Sequence, residues 1–315
     1  MTELQKYLAE EVAEDLTDGI ITRREAMRRL GLLGVSGAAA SALLAAGGTA
    51  VAPAAGRRGR RRRDGSQTEW QPVATEAIEF DGPRGTLMAA WARAAKPRGG
   101  VLVIHENRGL NDHIRTVAGR FAASGWSALA LDLLSEEGGT GSFPGEAEVA
   151  AALSQIAPER FDADMKAAVT ELKRRTRGKD LAAIGFCFGG GMIWRLLAAG
   201  EKRLSAAAPF YGPFPEGGDL GQARAAVLGV YGGLDTRVNA SRPAAKEALE
   251  DARLKHEILT FTLADHAFFN DTGARFNAHA ATEAWRRVLN WFDDADDDDH
   301  DDHKRGRGRG RRDDD

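Results

Sequence analysis

The stretch Leu181 to Met192, LAAIGFCFGGGM, constrains this chain more than any other. Leu181, Ala182, Ala183 and Ile184 form a short apolar run suited to a buried strand, and Met192 to Leu197 reads as a helix. Between them Gly185-Phe186-Cys187-Phe188-Gly189 must turn sharply, which places Cys187 at the tip of a strand, an elbow and a helix. Glycines two residues either side of the cysteine leave room for a turn that a Cβ would crowd, and Gly189 and Gly190 let the helix pack close to the strand. A helix N-terminus aimed at the sulfur favours thiolate.

The G-x-C-x-G-G pattern resembles the nucleophile elbow of α/β-hydrolases, with cysteine in place of serine. A lone free cysteine is more often a small buried hydrophobe. Its place between those glycines, in an alternating chain, points instead to catalysis.

The two ends differ in composition from what lies between. Thr22-Arg23-Arg24-Glu25-Ala26-Met27 is a twin-arginine pattern, followed by an apolar, small-residue run from Leu30 to Ala55. Residues 1–56 are therefore expected to be an export signal standing apart from the fold, with an A-x-A-like site at Ala52-Pro53-Ala54. The twin-arginine translocation machinery is the expected partner. A periplasmic or extracellular location follows, or a membrane anchor if the signal is retained. Met1 to Ile21 is amphipathic, carries several acidic residues and is long for an ordinary secretory leader. Residues 57–67 contain the run RRGRRRR and read as a basic linker. Residues 293–315, rich in Asp with His300, His303 and an Arg-Gly run, read as a disordered charged tail matching no defined metal site. The formal net charge of −3 gives no reason to expect a specific nucleic-acid partner, and a single cysteine precludes an intramolecular disulfide.

Residues 68–292 suffice for one α/β domain with a large core. Val73 to Phe80 and Thr86 to Ala92 predict an opening strand pair across the turn DGPRG, and Gly100 to His105 a buried strand. Asn111 to Ser124 predicts a helix, Trp126 to Leu131 a strand, and Phe161 to Thr176 an amphipathic helix that leads to the elbow strand. Leu134 to Pro158 is a long connection that could reach over the site. Ala206 to Tyr211, Ala225 to Tyr231 and Glu257 to Leu263 complete the strands, and Ala278 to Phe292 the helices. Strands alternating with helices imply a mostly parallel sheet with helices on both faces.

Two strand ends carry partners for Cys187. Asp235 follows Tyr231-Gly232-Gly233-Leu234, and His266 follows Ala264-Asp265. The order Cys187, Asp235, His266 is the nucleophile, acid, base order of the α/β-hydrolase fold. Asp235 could instead make an Asx turn, and Asp265 is a competing acid. His105, at a strand end near the elbow, is the rival base; His113, His256 and His279 lie away from the expected triad position.

From about Trp70 to Phe292 the chain resembles the dienelactone hydrolase family. The carrying stretches are His105-Glu106-Asn107-Arg108-Gly109-Leu110-Asn111, Gly185 to Gly190, Gly233-Leu234-Asp235 and His266-Ala267-Phe268. The resemblance implies a role for Glu106: contact with the resting cysteine, and a part in switching it from thiol to thiolate. It also implies an oxyanion hole of the Asn107 and Phe188 backbone N–H groups. One departure bears on substrate. The family's carboxylate-binding arginine, four residues after the histidine, is Asn270 here.

The function expected is hydrolysis of a small ester or lactone through a thioester acyl-enzyme, by a monomer, with no metal or cofactor required. The alternative is a non-catalytic ligand-binding or redox-responsive protein on the same scaffold, with Cys187 oxidised or modified. A third possibility places the function in the charged ends, as a polyanion- or envelope-associated protein.

Overall fold

A computed structural model of the chain describes the backbone of residues 1–46 and 71–307, and burial and side-chain contacts within 1–45 and 71–295. The expected basic linker and the proposed cleavage site lie outside the described residues. Three helices come first: α1 (Glu3–Thr17), α2 (Arg23–Leu32) and α3 (Gly37–Ala46). They are followed by β1 (Glu76–Asp81), β2 (Thr86–Ala92), β3 (Gly99–Ile104), α4 (Asp112–Ala123) and β4 (Trp126–Leu131). Then come α5 (Glu146–Leu153), α6 (Pro158–Arg175), β5 (Leu181–Phe186), α7 (Phe188–Ala198) and β6 (Ala206–Phe210). The chain continues with β7 (Ala226–Gly232), α8 (Thr236–Asn239), α9 (Arg242–Asp251), β8 (His256–Phe261) and α10 (Ala278–Arg307).

The eight strands form one sheet in the order β1-β2-β4-β3-β5-β6-β7-β8. β2 runs antiparallel to both β1 and β4, and every other neighbouring pair is parallel. Strands β3 to β7 are buried along their whole length, the expected reason that they read as unbroken apolar runs. β1 alternates toward solvent at the sheet edge. One helical layer joins α4 to α10 through Phe121, Trp285 and Phe292. Another joins α6 to α7, with Phe161 edge-on to Phe188 at 5.6 Å. The parallel strands point their C-terminal ends the same way, so Cys187, Asp235 and His266 emerge on one rim.

Both ends of the chain differ from expectation. Residues 3–46 do not stand apart: Leu8, Ala26, Leu30, Ala40 and Leu44 are buried in the same core as the sheet. The local reason is ordinary capping. Thr2 and Gln5 form a reciprocal capping box for α1, and the Thr22 side chain accepts from Glu25 N–H at 3.3 Å, so the twin-arginine pattern itself begins a helix. No helix among the described residues is long and apolar enough to cross a membrane. At the other end α10 continues past Phe292 to Arg307, where a disordered tail was expected, and residues 308–315 lie outside the described residues. Asp293 accepts from Arg98 at 2.6 Å and from the Trp126 indole at 3.2 Å, which ties the continuation to the domain. The long connection after β4 also contains a helix, α5, which packs against α2.

Candidate active site

Cys187 is the residue between β5 and α7, at φ 55°, ψ −119°. A non-glycine residue at positive φ is strained by about 1–3 kcal/mol and persists only where its surroundings over-determine it. Here they do. Cys187 N–H donates to Phe210 O at 3.1 Å, and its carbonyl accepts from Gly191 N–H. A Cβ on Gly185 would lie 2.1 Å from Gly189 O, and one on Gly189 would lie 2.4 Å from Ile104 O. Only glycine lets the elbow close against itself and against β3.

The loops after β7 and β8 are bound together, Gly233 N–H to Phe261 O at 2.8 Å and Leu234 N–H to Ala264 O at 3.0 Å. That pairing brings Asp235 and His266 into register. Asp235 Oδ1 accepts from Val238 N–H at 2.9 Å, capping α8, and Oδ2 lies 2.6 Å from His266 Nδ1. The imidazole therefore carries its proton on Nδ1 and leaves Nε2 toward the sulfur, where it has no hydrogen-bond partner. A ring nitrogen of His266 lies within 4.8 Å of Cys187 Sγ. Both side chains are fully buried, and Tyr211 packs edge-on to the imidazole at 5.3 Å.

The competing residues have other tasks. Asp265 accepts from the backbone N–H of His266 and does not touch its ring. His105 is saturated, with Nδ1 on Glu106 O at 2.7 Å and Nε2 accepting from Leu133 N–H at 3.1 Å. Burial holds its pKa below the ordinary value, so it is a neutral structural histidine.

Glu106 is placed otherwise than the resemblance implies. Its carboxylate accepts from Asn270 Nδ2 at 2.7 Å and makes no hydrogen bond to Cys187. Asn270, whose Oδ1 is itself bonded to Thr272, holds it there, which accounts for the departure from arginine at that position. The contact expected of Glu106 is made by a residue of α1 that the sequence did not suggest. Cys187 Sγ lies 3.5 and 3.7 Å from the two Glu11 oxygens and 3.3 Å from Tyr7 Oη. Asn107 Nδ2 donates to Glu11 at 2.9 Å. Spacing offered one clue: Tyr7, Glu11, Asp15 and Asp18 recur at helical intervals, so one face of an amphipathic helix is acidic and polar.

The electrostatics follow from this crowding. Burial, and then the Glu11 charge, push the Cys187 thiol above its ordinary value despite the helix N-terminus and His266. The S–H group points at the Glu11 carboxylate in this arrangement. Burial disfavours imidazolium at His266, but a Cys187 thiolate and the Asp235 carboxylate outweigh it and raise the pKa, so the ring holds the proton that it takes from the sulfur. Burial also opposes charge on Asp235, yet His266, Arg237 and the Val238 N–H hold it low. Of the two expected oxyanion donors, Phe188 N–H is the first of α7 and has no intrahelical acceptor. Asn107, on the loop after β3, lines the same cavity as Cys187. The arrangement can orient a base, present a sulfur nucleophile and offer amide donors to a carbonyl oxygen.

Comparison with known proteins agrees with this geometry. The model of the dienelactone hydrolase family matches residues 87–295. A protein of Escherichia coli K12 named "Putative carboxymethylenebutenolidase" is 31% identical over 208 residues, covering 61% of this chain and 75% of that protein. One of the same name from Saccharolobus solfataricus is 29% identical, covering 68% of this chain and 96% of its own. The crystal structure of a dienelactone hydrolase-like promiscuous phosphotriesterase from metagenomic libraries superposes with a TM-score of 0.61 at 26% identity. That match covers 71% of this chain and 99% of the phosphotriesterase. An eight-stranded, mostly parallel sheet with an elbow cysteine and this family match make the chain a member of the dienelactone hydrolase family of α/β-hydrolases.

Proposed function

We propose that the protein hydrolyses small carboxylic esters or lactones through a thioester acyl-enzyme on Cys187. The observation that carries the reading is the His266 pair: Nδ1 bound by Asp235 at 2.6 Å, and Nε2 free on the side of a strained elbow cysteine. His266 Nε2 takes the thiol proton, and the sulfur attacks the carbonyl carbon, forming a C–S bond as the carbonyl electrons move to oxygen. The Asn107 and Phe188 N–H groups receive that oxyanion, a contribution of about 3 kcal/mol per donor in such sites. Collapse expels the alkoxide, which takes the proton from His266. Water then attacks the thioester with His266 as base, releasing the acid and restoring the thiol.

The carboxymethylenebutenolidase and dienelactone hydrolase names of the relatives support lactones and activated esters as the substrate class. Asn270 is engaged with Glu106 and supplies no cation for a substrate carboxylate, which favours neutral small esters over dienelactone itself. Export by the twin-arginine route belongs to the same proposal; Arg23 and Arg24 are exposed at the start of α2. The test is p-nitrophenyl acetate and dienelactone hydrolysis by the mature protein, with residues 1–54 removed, beside Cys187→Ala and His266→Ala in the same form. Both variants should lose most of the activity. An inert mature protein on these and a wider ester panel would leave a ligand-binding or redox role for Cys187.

A further inference from the structure

Helix α1 stands where an ester must go. The cavity at the nucleophile, bounded by Glu11, Asp15, Ile20, Cys187, His266 and Arg275, has a volume of about 40 Å³. That is room for water, whereas sites for small organic ligands span roughly 300–1,000 Å³. Tyr7 and Glu11 both touch the sulfur, so the face of Cys187 that would meet a carbonyl carbon is taken.

The helix is held in place by groups of the catalytic rim itself. Arg237, two residues after Asp235, stacks over the Tyr7 ring at 4.5 Å and bonds Glu14 at 3.2 Å. Arg275, from the loop after His266, bonds Asp15 at 2.9 Å and Asp18 at 2.6 Å. Asn107 donates to Glu11. Three loops that should position substrate thus each hold α1, and Leu8, one turn before Glu11, is buried. The whole device lies N-terminal to the Ala-Pro-Ala site at residues 52–54, on the segment that resembles an export signal.

We propose that α1 is an autoinhibitory plug: Tyr7 and Glu11 occupy the substrate's place at Cys187, and the site accepts an ester only when α1 leaves. The proposal rests on the cysteine hydrolase reading for its consequence but not for its test. In the docked state the thiol donates to Glu11; on departure of α1 that bond is exchanged for one to His266, with no bond made or broken to carbon. Removal of the segment during export, or its engagement elsewhere, converts a blocked enzyme into an open one.

The test uses the full-length chain and two independent ways of loosening α1. Leu8→Asp places a carboxylate in a buried apolar position, and Asp15→Ala with Asp18→Ala removes the two carboxylates by which Arg275 holds the helix. Circular dichroism and thermal melting confirm that each variant remains folded. The first readout is the rate of Cys187 alkylation by iodoacetamide at fixed pH, with the urea-unfolded chain as the accessible reference. The wild type should alkylate far more slowly than the reference. Either variant should react about tenfold faster or more, as expected when a minor open state becomes the main one. Hydrolysis of p-nitrophenyl acetate should rise in parallel. Faster alkylation without hydrolysis would uphold the plug while removing the hydrolase reading. A wild-type rate equal to the unfolded reference would overturn the plug, as would folded variants within twofold of a slow wild type.

Discussion

Gly189→Ala tests whether the elbow is built as the geometry indicates. A Cβ there would sit 2.4 Å from Ile104 O and 2.5 Å from His105 O, both backbone atoms at the end of β3 that cannot rotate aside. Reaching ordinary contact near 3.4 Å requires α7 and β3 to separate by about 1 Å. Overpacking of this kind costs about 1–3 kcal/mol, which lowers the melting temperature of a domain this size by about 2–12 °C. The same displacement carries Cys187 and the Phe188 N–H away from His266. Misplacement by 1 Å of reacting groups costs on the order of 10²-fold in rate. The assay pairs a thermal melt with kcat/KM on p-nitrophenyl acetate. Gly141→Ala is the control, since a Cβ at Gly141 meets nothing within 4 Å. A Gly189→Ala variant that melts within about 1 °C of wild type and keeps kcat/KM within about twofold would refute the reasoning.

Further outcomes can be measured separately. Asp235→Asn should keep the fold but lower kcat by on the order of 10³–10⁴-fold, because the imidazole loses the acceptor that fixes its tautomer; steady-state kinetics and a melt distinguish this from unfolding. The thiol is raised by burial and then by Glu11, so the rate of Cys187 alkylation should rise with pH through a midpoint above the ordinary thiol range near pH 8.5. Glu11→Gln should move that midpoint to lower pH, read from alkylation rates against pH. Asp271 is held below its ordinary value by a hydrogen bond from His113 and by Arg120. A depressed carboxylate stabilises the fold above its unfolded pKa and loses that contribution as pH falls through the folded one. Asp271→Asn should therefore cost about 1 kcal/mol at pH 7, after allowance for partial exposure, and less than that at pH 3, in urea titrations. Finally, Arg23→Lys with Arg24→Lys should retain the protein in the cytoplasm, read by fractionation; unchanged export would remove the twin-arginine assignment.

What was legible in the sequence is what depends on near neighbours. The strands β3 to β7 show as apolar runs because a parallel strand covered on both faces has no polar alternation to hide it. The elbow shows because glycines flank a single cysteine, and Asp235 and His266 show because each follows a strand end. What was hidden depends on distant partners. Glu11 and Tyr7 meet Cys187 from 176 and 180 residues away, and the helical spacing of the acidic face they share does not say what it meets. The segment that carries them, moreover, has the composition of a leader. Glu106 was assigned its contact by position, but Asn270, 164 residues further on, decides where its carboxylate points. The run after Phe292 looks incapable of a core, yet Asp293 needs no core, only Arg98 and the Trp126 indole.

The most direct test of the account is to find the acyl group. Rapid acid quench during turnover of a slowly deacylating p-nitrophenyl ester, followed by peptide mass spectrometry, reads where it resides. The account predicts a mass increase of one acyl group on the peptide containing Cys187, appearing with the nitrophenol burst, decaying as turnover ends, and absent in Cys187→Ala. Hydrolysis that persists in Cys187→Ala, or acylation at another residue with an unmodified Cys187, would contradict it.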